Sequence, residues 1–323
     1  MSRALVTGAA GFIGSQLAER LVADGRQVTG LDSFSDHYSR DLKQLNLTSL
    51  AAEPLFELVE GDLASESLSE LFGDIDVVFH LAARPGVRDS WSEFGDYVEA
   101  NIIGSRSIFD AAAVTQTRVV YASSSSVYGD APSLPVTEEH SLHPISPYGA
   151  SKVMTEVLAG AYASSYGLDA IGLRFFTVYG PRQRPDMGLS RFIEAMVDGR
   201  AIPLYGDGLQ QRDMTYVGDV VDATLAAAER GRSGAVYNIA SDAPRTLLDI
   251  LGELSNVLDI PLHLDHEGTK PGDVRDTWGD ITRASVDLGY SPKVLLRDGL
   301  ERQAAEAARR RAALSVPQRA QSA

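Results

Sequence analysis

The stretch Arg3-Ala4-Leu5-Val6-Thr7-Gly8-Ala9-Ala10-Gly11-Phe12-Ile13-Gly14 begins the chain and decides its fold. Its apolar start predicts a buried strand, and the amphipathic run over residues 15–24 predicts the helix that follows. A strand, a glycine turn and a helix in this order form the phosphate-binding part of a dinucleotide site. Gly8 would permit the tight turn, Gly11 the approach of backbone to pyrophosphate at the helix N-terminus, and Gly14 the packing of helix on sheet.

The spacing Gly-x-x-Gly-x-x-Gly is by itself a weak signal, because an ordinary strand-to-helix turn can carry it. A second strand is predicted over residues 27–31, and Asp32 follows it directly. A carboxylate there can accept hydrogen bonds from both hydroxyls of the adenosine ribose and would repel a 2′-phosphate. Together the two features predict a dinucleotide site that prefers NAD.

Strand-like apolar runs recur at residues 56–60, 77–81, 118–122 and 170–175, with helical stretches between them. This alternation predicts an α/β protein with a doubly wound, Rossmann-type parallel sheet. Beyond Gly180, Pro, Gly and Asp become frequent, which predicts a smaller α/β substrate-binding lobe on the C-terminal side.

The same pass along the chain predicts its division into parts. We expect a NAD-binding domain that carries the catalytic residues over residues 1–175. A substrate lobe is expected over residues 176–310, with some segments returning to the sheet. Residues 313–323 have no apolar face and are expected to be a disordered tail.

The composition is that of an acidic protein, since 29 Lys+Arg against 44 Asp+Glu give a net charge of −15 over 323 residues. Such a surface repels nucleic acid and anionic membranes, so neither is an expected partner. The chain has no Cys, which excludes disulfides and a Cys nucleophile, and no metal site is predicted. No apolar run reaches the roughly 18 residues of a membrane span, and the start of the chain lacks signal-peptide features. The expected location is the cytoplasm.

Tyr148 and Lys152 lie four residues apart, just after Pro147, which marks the start of a predicted helix. This spacing places both side chains on one helical face. An ammonium beside a phenol, whose ordinary pKa is about 10, favours the phenolate, so Tyr148 could act as a base near neutral pH. The pair alone is a weak signal, although a chain with only four Lys makes a chance match less frequent.

A run of four serines, Ser123-Ser124-Ser125-Ser126, follows the strand predicted at residues 118–122. It could be an ordinary polar loop, or it could supply a hydroxyl that hydrogen bonds both the substrate and Tyr148. The glycine turn, Asp32, the serine run and the Tyr148–Lys152 pair occur in one consistent order. Together they are a strong signal for a catalytic NAD site.

With these motifs the chain resembles the extended short-chain dehydrogenase/reductases of the NAD-dependent sugar-nucleotide epimerase/dehydratase family, over residues 1 to about 305. More narrowly, it resembles UDP-glucuronate 4-epimerases. That narrower resemblance is carried by the serine run and by Asp32-Ser33-Phe34-Ser35-Asp36-His37-Tyr38, Ala82-Ala83-Arg84-Pro85-Gly86-Val87-Arg88, Leu173-Arg174-Phe175-Phe176-Thr177-Val178-Tyr179-Gly180-Pro181 and Arg184-Pro185-Asp186-Met187. Arg84-Pro85 departs from the uncharged small residues expected there.

The motifs and the resemblance imply NAD as the cofactor. The expected cofactor-binding residues are Gly8, Gly11, Phe12, Ile13, Gly14, Asp32, Ser33, Asp62, Leu63, Leu81, Ala82, Ala83, Tyr148, Lys152 and Phe175. Asp62 can bond the adenine amino group or cap a helix N-terminus, and both can hold. His80, at the end of the fourth predicted strand, is expected to be structural rather than catalytic.

The resemblance also implies a UDP-sugar substrate and a catalytic set. Ser124 is expected to be the catalytic serine, with Ser125 as the alternative, beside Tyr148 and Lys152. A homodimer is expected, with the helices near residues 94–113 and 150–166 paired against those of the partner.

Further substrate residues follow from the resemblance. It implies that Arg212 contacts the diphosphate and Asp273 the uridine ribose. Lys270 stands where many relatives carry a second diphosphate arginine, and a lysine cannot make the same bidentate contact.

The implied reaction is a redox-neutral 4-epimerisation through a 4-keto sugar, in which the C4 hydride passes to NAD and later returns to the opposite face. A uronate oxidised at C4 is a β-keto acid that can lose CO2, so fixed donors must hold its carboxylate. The candidates are Ser125, Ser126, Thr177 and Arg184, with Arg88 next. Arg184 could instead be an ordinary surface arginine in an Arg/Pro loop.

The serine run also separates the related reactions. Related dehydratases carry Asp-Glu after the catalytic residue and decarboxylating relatives carry a Glu, whereas Ser125 and Ser126 follow Ser124. Elimination is therefore disfavoured, and UDP-glucuronate 4-epimerisation is the leading hypothesis. The alternatives are a 4-epimerase for UDP-glucose or UDP-N-acetylglucosamine, then a sugar-nucleotide dehydratase or decarboxylase. A non-catalytic NAD-sensing protein is a further alternative, but such a protein would commonly lose the Tyr or the Lys.

Overall fold

The computed structural model describes residues 3–64, 68, 71–268 and 274–315. Its strands are β1 (Arg3–Thr7), β2 (Gln27–Asp32), β3 (Phe56–Glu60), β4 (Val77–His80), β5 (Arg118–Ser124), β6 (Ala170–Phe175), β7 (Thr177–Tyr179), β8 (Ile202–Tyr205), β9 (Gln211–Arg212), β10 (Met214–Tyr216), β11 (Val236–Ile239), β12 (Arg245–Thr246) and β13 (Leu264–Glu267). Its helices are α1 (Phe12–Ala23), α2 (Arg40–Asn46), α3 (Phe94–Tyr97), α4 (Gly104–Thr115), α5 (Pro147–Tyr166), α6 (Gly188–Val197), α7 (Val217–Arg230), α8 (Leu247–Leu258), α9 (Thr282–Leu288) and α10 (Leu296–Ser315). Single 3₁₀ turns lie at Asp89–Trp91 and Ser125–Val127, and a π-helical turn at Val98–Ile103 joins α3 to α4.

Seven strands form one sheet in the order β11-β6-β5-β4-β1-β2-β3. Every neighbouring pair in this sheet is parallel. The chain builds outward from β1 to β3, then returns to the other side of β1 and builds outward again from β4. The predicted doubly wound parallel sheet is confirmed.

Alternate residues of β1 show how helices cover both faces of the sheet. Ala4 and Val6 pack in one apolar cluster with Leu17 of α1, whereas Leu5 packs in another with Ile108 of α4. Successive strand side chains point to opposite faces, and all of these residues are fully buried. Burial on both faces explains why the strand is a continuous apolar run in the sequence.

The chain order reverses between β1 and β4, and ligands of such sheets bind at the carboxyl ends of the strands near this point. Two polar residues end their strands there. Asp32 pairs with Glu60, so β2 extends one residue past its predicted end. Ser124 pairs with Phe175, so β5 extends two residues past its predicted end. The ladder thus carries both side chains to the edge where a ligand would lie.

The strands that follow β6 contribute both to small two-stranded sheets and to the edge of the main sheet. Three small strand pairs, β7 with β10, β8 with β13 and β9 with β12, lie outside the main sheet. Strand β11 instead joins the edge of the main sheet beside β6. The boundary predicted between residues 175 and 176 stays a prediction.

Helix α10 ends at Ser315, so residues 313–315 are helical where the sequence predicts the start of a disordered tail. The first part of α10 is anchored by the fully buried Leu300, and ion pairs lie along the surface of its later part. Arg310 pairs with Glu306 at 3.0 Å, and Arg311 pairs with Asp198 beyond α6 at 2.6 Å. Residues 316–323 lie outside the described residues. Within the part of the chain that the structure describes, no helix has the length and apolar character needed to cross a membrane.

Candidate active site

The glycine-rich turn after β1 is a cradle that side chains would fill. Gly8 has a φ of +70°, and a Cβ added there would lie 2.9 Å from the backbone nitrogen of Ala82. A Cβ added to Gly14 would lie 2.1 Å from the carbonyl oxygen of Gly8. Only glycine therefore lets α1 approach the turn so closely. The turn sets the N-terminus of α1 at the switch point of the sheet, which fits the pyrophosphate of a dinucleotide.

The Asp32 carboxylate is fixed beside this cradle. Its Oδ2 accepts a hydrogen bond from the Ala10 N–H at 3.0 Å, and its Oδ1 accepts one from the Phe34 N–H at 2.8 Å. Each carboxylate oxygen can accept more than one hydrogen bond. Asp32 therefore fits the ribose hydroxyls of a dinucleotide that lacks a 2′-phosphate.

Lys43 is a residue of this region that sequence reasoning missed. Its Nζ lies 3.4 Å from Asp32 Oδ1 and 3.3 Å from Ser35 Oγ, and its side chain is only 6% exposed. The ion pair compensates a charge that would be costly to bury alone. Its one sequence signal is that it is among the four lysines of the chain, shortly after Asp32.

The other predicted cofactor residues lie at strand ends and in the turns after them. Phe12, Leu63 and Phe175 are buried, Gly11, Ile13, Leu81, Ala82 and Ala83 are partly buried, and Ser33 is exposed. The Ala82 N–H donates to Thr7 Oγ1 at 3.1 Å, which ties the turn after β4 to β1. Asp62 accepts from the Ala64 N–H at 2.9 Å within a turn, and residues 65–67 lie outside the described residues, so the predicted helix cap stays a prediction.

Helix α5 brings Tyr148 to the serine run because the next residue, Gly149, has no side chain. A Cβ on Gly149 would lie 2.5 Å from the Ser126 carbonyl oxygen. Pro147 is the first residue of α5, and Ser146 caps the helix by accepting from the Gly149 N–H at 3.1 Å. The start of the helix is therefore fixed directly against the turn that follows β5.

Ser124 lies beside Tyr148 at the end of β5, close enough to act on the pKa of the phenol. Burial raises the pKa of the Tyr148 phenol above its usual 10.0, while the polar Ser124 side chain and the charge of Arg184 act in the opposite direction. Ser124 Oγ also accepts from the Ser126 N–H at 3.2 Å, within the 3₁₀ turn that contains Ser125. Ser124 acts on the pKa of Tyr148, which favours it over Ser125 as the reacting serine.

Lys152 lies one turn after Tyr148 and is almost completely buried. Its Nζ donates to the Ala122 carbonyl at 2.9 Å. Burial lowers its pKa to about 8, and the negative charge of Glu156 opposes that shift. An ammonium whose pKa lies this close to neutrality can exchange its proton within the range where enzymes work.

His80 lies near Lys152 but has the predicted structural role. One ring nitrogen hydrogen bonds Thr7 Oγ1 and the other Ser105 Oγ, both at 2.9 Å. Burial and the charge of Lys152 lower its pKa to about 3, so it stays neutral at ordinary pH. The hydrogen bonds of the two ring nitrogens join β1 and α4 to β4.

A buried ion pair fixes the far side of α5. Arg174 donates to Glu156 from Nε at 2.9 Å and from Nη2 at 2.7 Å, and the Ser123 hydroxyl donates to the same carboxylate. This network joins α5 to β5 and β6 immediately behind Lys152. The pairing leaves neither charge uncompensated in the interior.

Asn101 is a second residue that the motifs do not indicate. It lies in the π-helical turn between α3 and α4, and its side chain donates to the Arg84 carbonyl at 3.0 Å and to Ser151 Oγ at 2.9 Å. Ser151 is the neighbour of Lys152 on α5. Asn101 therefore ties the loop after β4 to the helix that carries Tyr148. Arg84 itself pairs with Glu93.

Arg184 lies in the loop between β7 and α6 and is mostly buried, with 17% of its side chain exposed. Its Nε and Nη2 donate to Asp186 at 3.0 and 2.9 Å. It is nevertheless near enough to Tyr148 to lower the pKa of that phenol. Thr177, the first residue of β7, is partly buried and pairs with Met214.

The remaining predicted substrate residues are farther along the lobe. Arg212, on β9, donates to the carbonyls of Val274 and Arg275 at 3.0 and 2.7 Å. The Arg88 guanidinium stacks over the Tyr205 ring at 4.8 Å, which links the loop after β4 to β8. Lys270 and Asp273 lie outside the described residues.

Comparison with known proteins gives the family. A family model described as "NAD dependent epimerase/dehydratase family" matches residues 4–240. The structure is similar to that of UDP-glucuronic acid 4-epimerase from Bacillus cereus in complex with UDP-glucuronic acid and NAD. The TM-score is 0.92 at 39% sequence identity, covering 95% of this chain and 99% of that one.

Two curated relatives carry different substrate names. The chain is 34% identical over 304 residues to UDP-glucuronate 4-epimerase of Thermodesulfobacterium geofontis, covering 92% of this chain and 94% of that protein. It is 36% identical over 305 residues to UDP-glucose 4-epimerase of Mycolicibacterium smegmatis, covering 92% of this chain and 96% of that protein.

The fold and the cradle at the switch point define a Rossmann-type, NAD-dependent enzyme. The chain belongs to the NAD dependent epimerase/dehydratase family. The resemblance to sugar-nucleotide 4-epimerases and the choice of NAD as cofactor are both confirmed.

Proposed function

We propose that the protein is a UDP-glucuronate 4-epimerase, which interconverts UDP-glucuronate and UDP-galacturonate. The observation that carries this proposal is the position of Arg184, whose charge reaches the Tyr148 phenol. A hexose bound with its C4 hydroxyl at Tyr148 places its C5 substituent close by. A guanidinium is well suited to bind a carboxylate there, through paired charge-assisted hydrogen bonds.

The cofactor site supports the redox part of this function. Gly8, Gly11 and Gly14 would hold the pyrophosphate of NAD, and Asp32 the adenosine ribose. Bound NAD supplies reversible hydride acceptance at C4 of the sugar.

The proton transfers of the reaction are assigned to side chains of the protein. Tyr148 takes the proton of the C4 hydroxyl, and the nearby Lys152 ammonium stabilises the phenolate that this requires. Ser124 lies beside Tyr148 and can contact the same substrate oxygen. When the 4-keto group is reduced from the opposite face, Tyr148 returns the proton to the C4 oxygen.

The uronate must also keep its carboxylate. After oxidation at C4 the substrate is a β-keto acid, which loses CO2 when the C5–C6 bond aligns with the carbonyl π system. The residues proposed to hold the carboxylate out of that alignment are Arg184, Thr177, Ser125 and Ser126, with Arg88 next. Ser125 and Ser126, and not carboxylate side chains, directly follow Ser124, which disfavours elimination.

The nucleotide half of the substrate is assigned by resemblance. Arg212 is proposed to contact it, together with Lys270 and Asp273 outside the described residues. The backbone carbonyls that Arg212 contacts, those of Val274 and Arg275, follow Asp273 directly in the chain. Arg212 would thereby hold this segment next to the diphosphate.

A proton-NMR time course with UDP-glucuronate tests the proposal. The expected result is UDP-galacturonate without net NADH and without CO2. A time course in which UDP-pentose is the only product would contradict it.

A 4-epimerase for UDP-glucose or UDP-N-acetylglucosamine is the second candidate. The specific observation in its favour is the ion pair between Arg184 and Asp186, which neutralises the charge that a uronate would meet. The relative named UDP-glucose 4-epimerase supports the same alternative. A value of kcat/KM for UDP-glucose above that for UDP-glucuronate would favour it.

We further propose a homodimer formed through α3, α4 and α5. Large apolar side chains remain exposed along these elements, among them Phe94 at 47%, Met154 at 44% and Val157 at 57%. Exposed apolar surface of this kind on adjacent helices favours association. Sedimentation equilibrium of the intact chain tests the proposal, and a monomer at micromolar concentration would contradict it.

A further inference from the structure

We propose that Asp186 is a positioning residue for the arginine that binds the uronate, and that His37 supports it from a second loop. Asp186 would fix one edge of the Arg184 guanidinium so that the other edge remains for the substrate carboxylate. This inference rests on the proposed function, because it concerns how the carboxylate subsite is built.

The geometry of the pair favours a fixed guanidinium. Arg184 donates to Asp186 from Nε at 3.0 Å and from Nη2 at 2.9 Å, one bond to each carboxylate oxygen. Two parallel charge-assisted bonds hold the plane of the guanidinium as well as its position. The two residues are separated only by Pro185, whose restricted φ stiffens the connection between them.

The same geometry leaves donors for a ligand. Arginine has five N–H donors, and the bidentate contact with Asp186 uses only the Nε/Nη2 edge. The Nη1/Nη2 edge can therefore bind a second carboxylate without breaking the first contact. The guanidinium would then lie between the protein's own carboxylate and that of the sugar.

His37 reaches the pair from the segment that follows β2. Its side chain is only 8% exposed, and its Nε2 lies 3.7 Å from Asp186 Oδ2. Nε2 is buried and has no hydrogen-bond partner among the described residues. Burial raises the pKa of Asp186, but His37 and Arg184 outweigh it and hold that pKa well below its usual range. The segment that begins at Asp32 in the cofactor site thus also supports the arginine of the sugar site.

Loss of this support should change the products as well as the rate. An arginine side chain has many rotamers, and only a fixed one can hold a carboxylate out of alignment with a carbonyl. If the 4-keto uronate is held loosely, its C5–C6 bond breaks, CO2 leaves, and the electron pair forms the C4–C5 enolate. A proton from water then adds at C5, and the 4-keto pentose is reduced by the cofactor that was reduced in the first half-reaction.

The test is Asp186→Asn, measured with UDP-glucuronate carrying ¹³C at C6. We expect kcat for the formation of UDP-galacturonate to fall by about tenfold, as for other losses of substrate alignment. Labelled CO2 and UDP-pentose should appear, with no increase in KM, because Arg184 keeps its own charge. The inhibition constant of UDP-glucose, which has no carboxylate, should change by less than about twofold, since uncharged contacts are unaffected.

A matched control is Asp198→Asn. Asp198 pairs with Arg200 at 3.1 Å, also two residues away in the sequence, and with Arg311 at 2.6 Å, on an exposed surface beyond α6. This variant should keep the wild-type rate and release no CO2. His37→Asn should release CO2 with a smaller loss of rate, and it serves as the test if Asp186→Asn does not fold.

The outcomes separate the possible failures. The positioning role is overturned if a folded Asp186→Asn variant keeps the wild-type rate and releases no CO2. It is also overturned if a folded His37→Asn variant releases no CO2. An equal loss of uronate turnover and UDP-glucose binding, with a lower Tm, would show a merely structural role and also overturns it. If the wild-type enzyme itself does not epimerise UDP-glucuronate, the proposed function fails first, and this inference fails with it.

Discussion

The start of α5 and the loop at residues 181–187 lie close enough for Arg184 to act on Tyr148, but they are built differently. Tyr148 and Lys152 project from a helix whose first turn is capped by Ser146 and packed on the end of β5. Arg184 projects from a loop, and its position depends on Asp186 in that loop and His37 in another. The groups proposed for the reaction thus lie on regular elements, whereas the proposed carboxylate-binding group lies on a loop.

This difference predicts two kinds of mutational effect. A change at the start of α5 should affect every substrate, because each sugar presents the same C4 hydroxyl. A change in the loop should affect only substrates that carry a carboxylate. Pairs of substrates, UDP-glucuronate and UDP-glucose, therefore distinguish the two regions.

Tyr148→Phe should have the largest effect. Removal of the general base should lower kcat by at least about 10²-fold for any substrate that the enzyme accepts. The phenyl ring keeps the packing against Tyr97, whose ring lies 6.2 Å away, so bound NAD should be retained. Steady-state rates and the NAD content of the purified protein check this. Unchanged turnover would remove Tyr148 from the mechanism.

Arg184→Met should have the next largest effect, and only on the uronate. Loss of a charge-assisted contact of about 1.5–3 kcal/mol lowers kcat/KM for UDP-glucuronate by roughly 10- to 150-fold. Methionine preserves much of the volume of the arginine stem, so kcat/KM for UDP-glucose should stay within about twofold. An equal loss for both substrates would contradict the division of roles between the helix and the loop.

The same contrast explains what could be predicted from the sequence. Asp32, Tyr148 and Lys152 could be predicted because strand and helix periodicity fixes where each side chain points. The parallel sheet could be predicted because strands buried on both faces leave continuous apolar runs. Both inferences depend on residues close together in the chain.

Contacts between separate segments could not be predicted in this way. Lys43 meets Asp32, and His37 meets Asp186, only because of the paths taken by loops. Asn101 is placed by a π-helical turn that leaves no sequence signal. The helical end of α10 carries an ion pair between Arg311 and Asp198, which lie far apart in the sequence.

Gly149→Ala tests whether the contact between α5 and the serine run matters. A Cβ there would lie 2.5 Å from the Ser126 carbonyl oxygen, so the helix must move away and carry Tyr148 with it. Overpacking of this kind costs about 1–3 kcal/mol, and the misplacement should lower kcat about tenfold for both UDP-glucuronate and UDP-glucose. Thermal unfolding and steady-state rates measure the two effects.

Gly160→Ala, on the same helix, is the matched control. A Cβ at Gly160 would meet no other described part of the chain within 4 Å, apart from its neighbours and the backbone of its own helix. Alanine should therefore stabilise α5 by up to about 1 kcal/mol without changing the rate. Equal behaviour of the two variants would contradict a special role for Gly149.

The smallest expected effect is a dependence of the rate on pH, which arises from the ionisation of Tyr148 and Lys152 on α5. Burial lowers the pKa of Lys152 to about 8 and raises that of Tyr148. With both groups protonated, Tyr148 cannot accept a proton. Loss of one proton gives two forms, a phenolate with an ammonium and a phenol with a neutral amine, whose ratio does not depend on pH. The rate should therefore rise with pH and level off no higher than about pH 8, and the positive nicotinamide of bound NAD lowers that point further.

Lys152→Met should move the pH at which the rate levels off to a higher value. Without the ammonium, the phenol must ionise alone, with a pKa that burial raises above 10.0. The rate of the variant should climb by about tenfold per pH unit, as expected for a single ionisation, through the range in which the wild-type rate is constant. Profiles of kcat/KM from pH 6 to 10 check this, with Lys293→Met as the control, because Lys293 is exposed and pairs with Asp222 at 3.0 Å. A Lys152→Met profile that levels off at the wild-type pH would show that the ammonium does not set the ionisation of Tyr148.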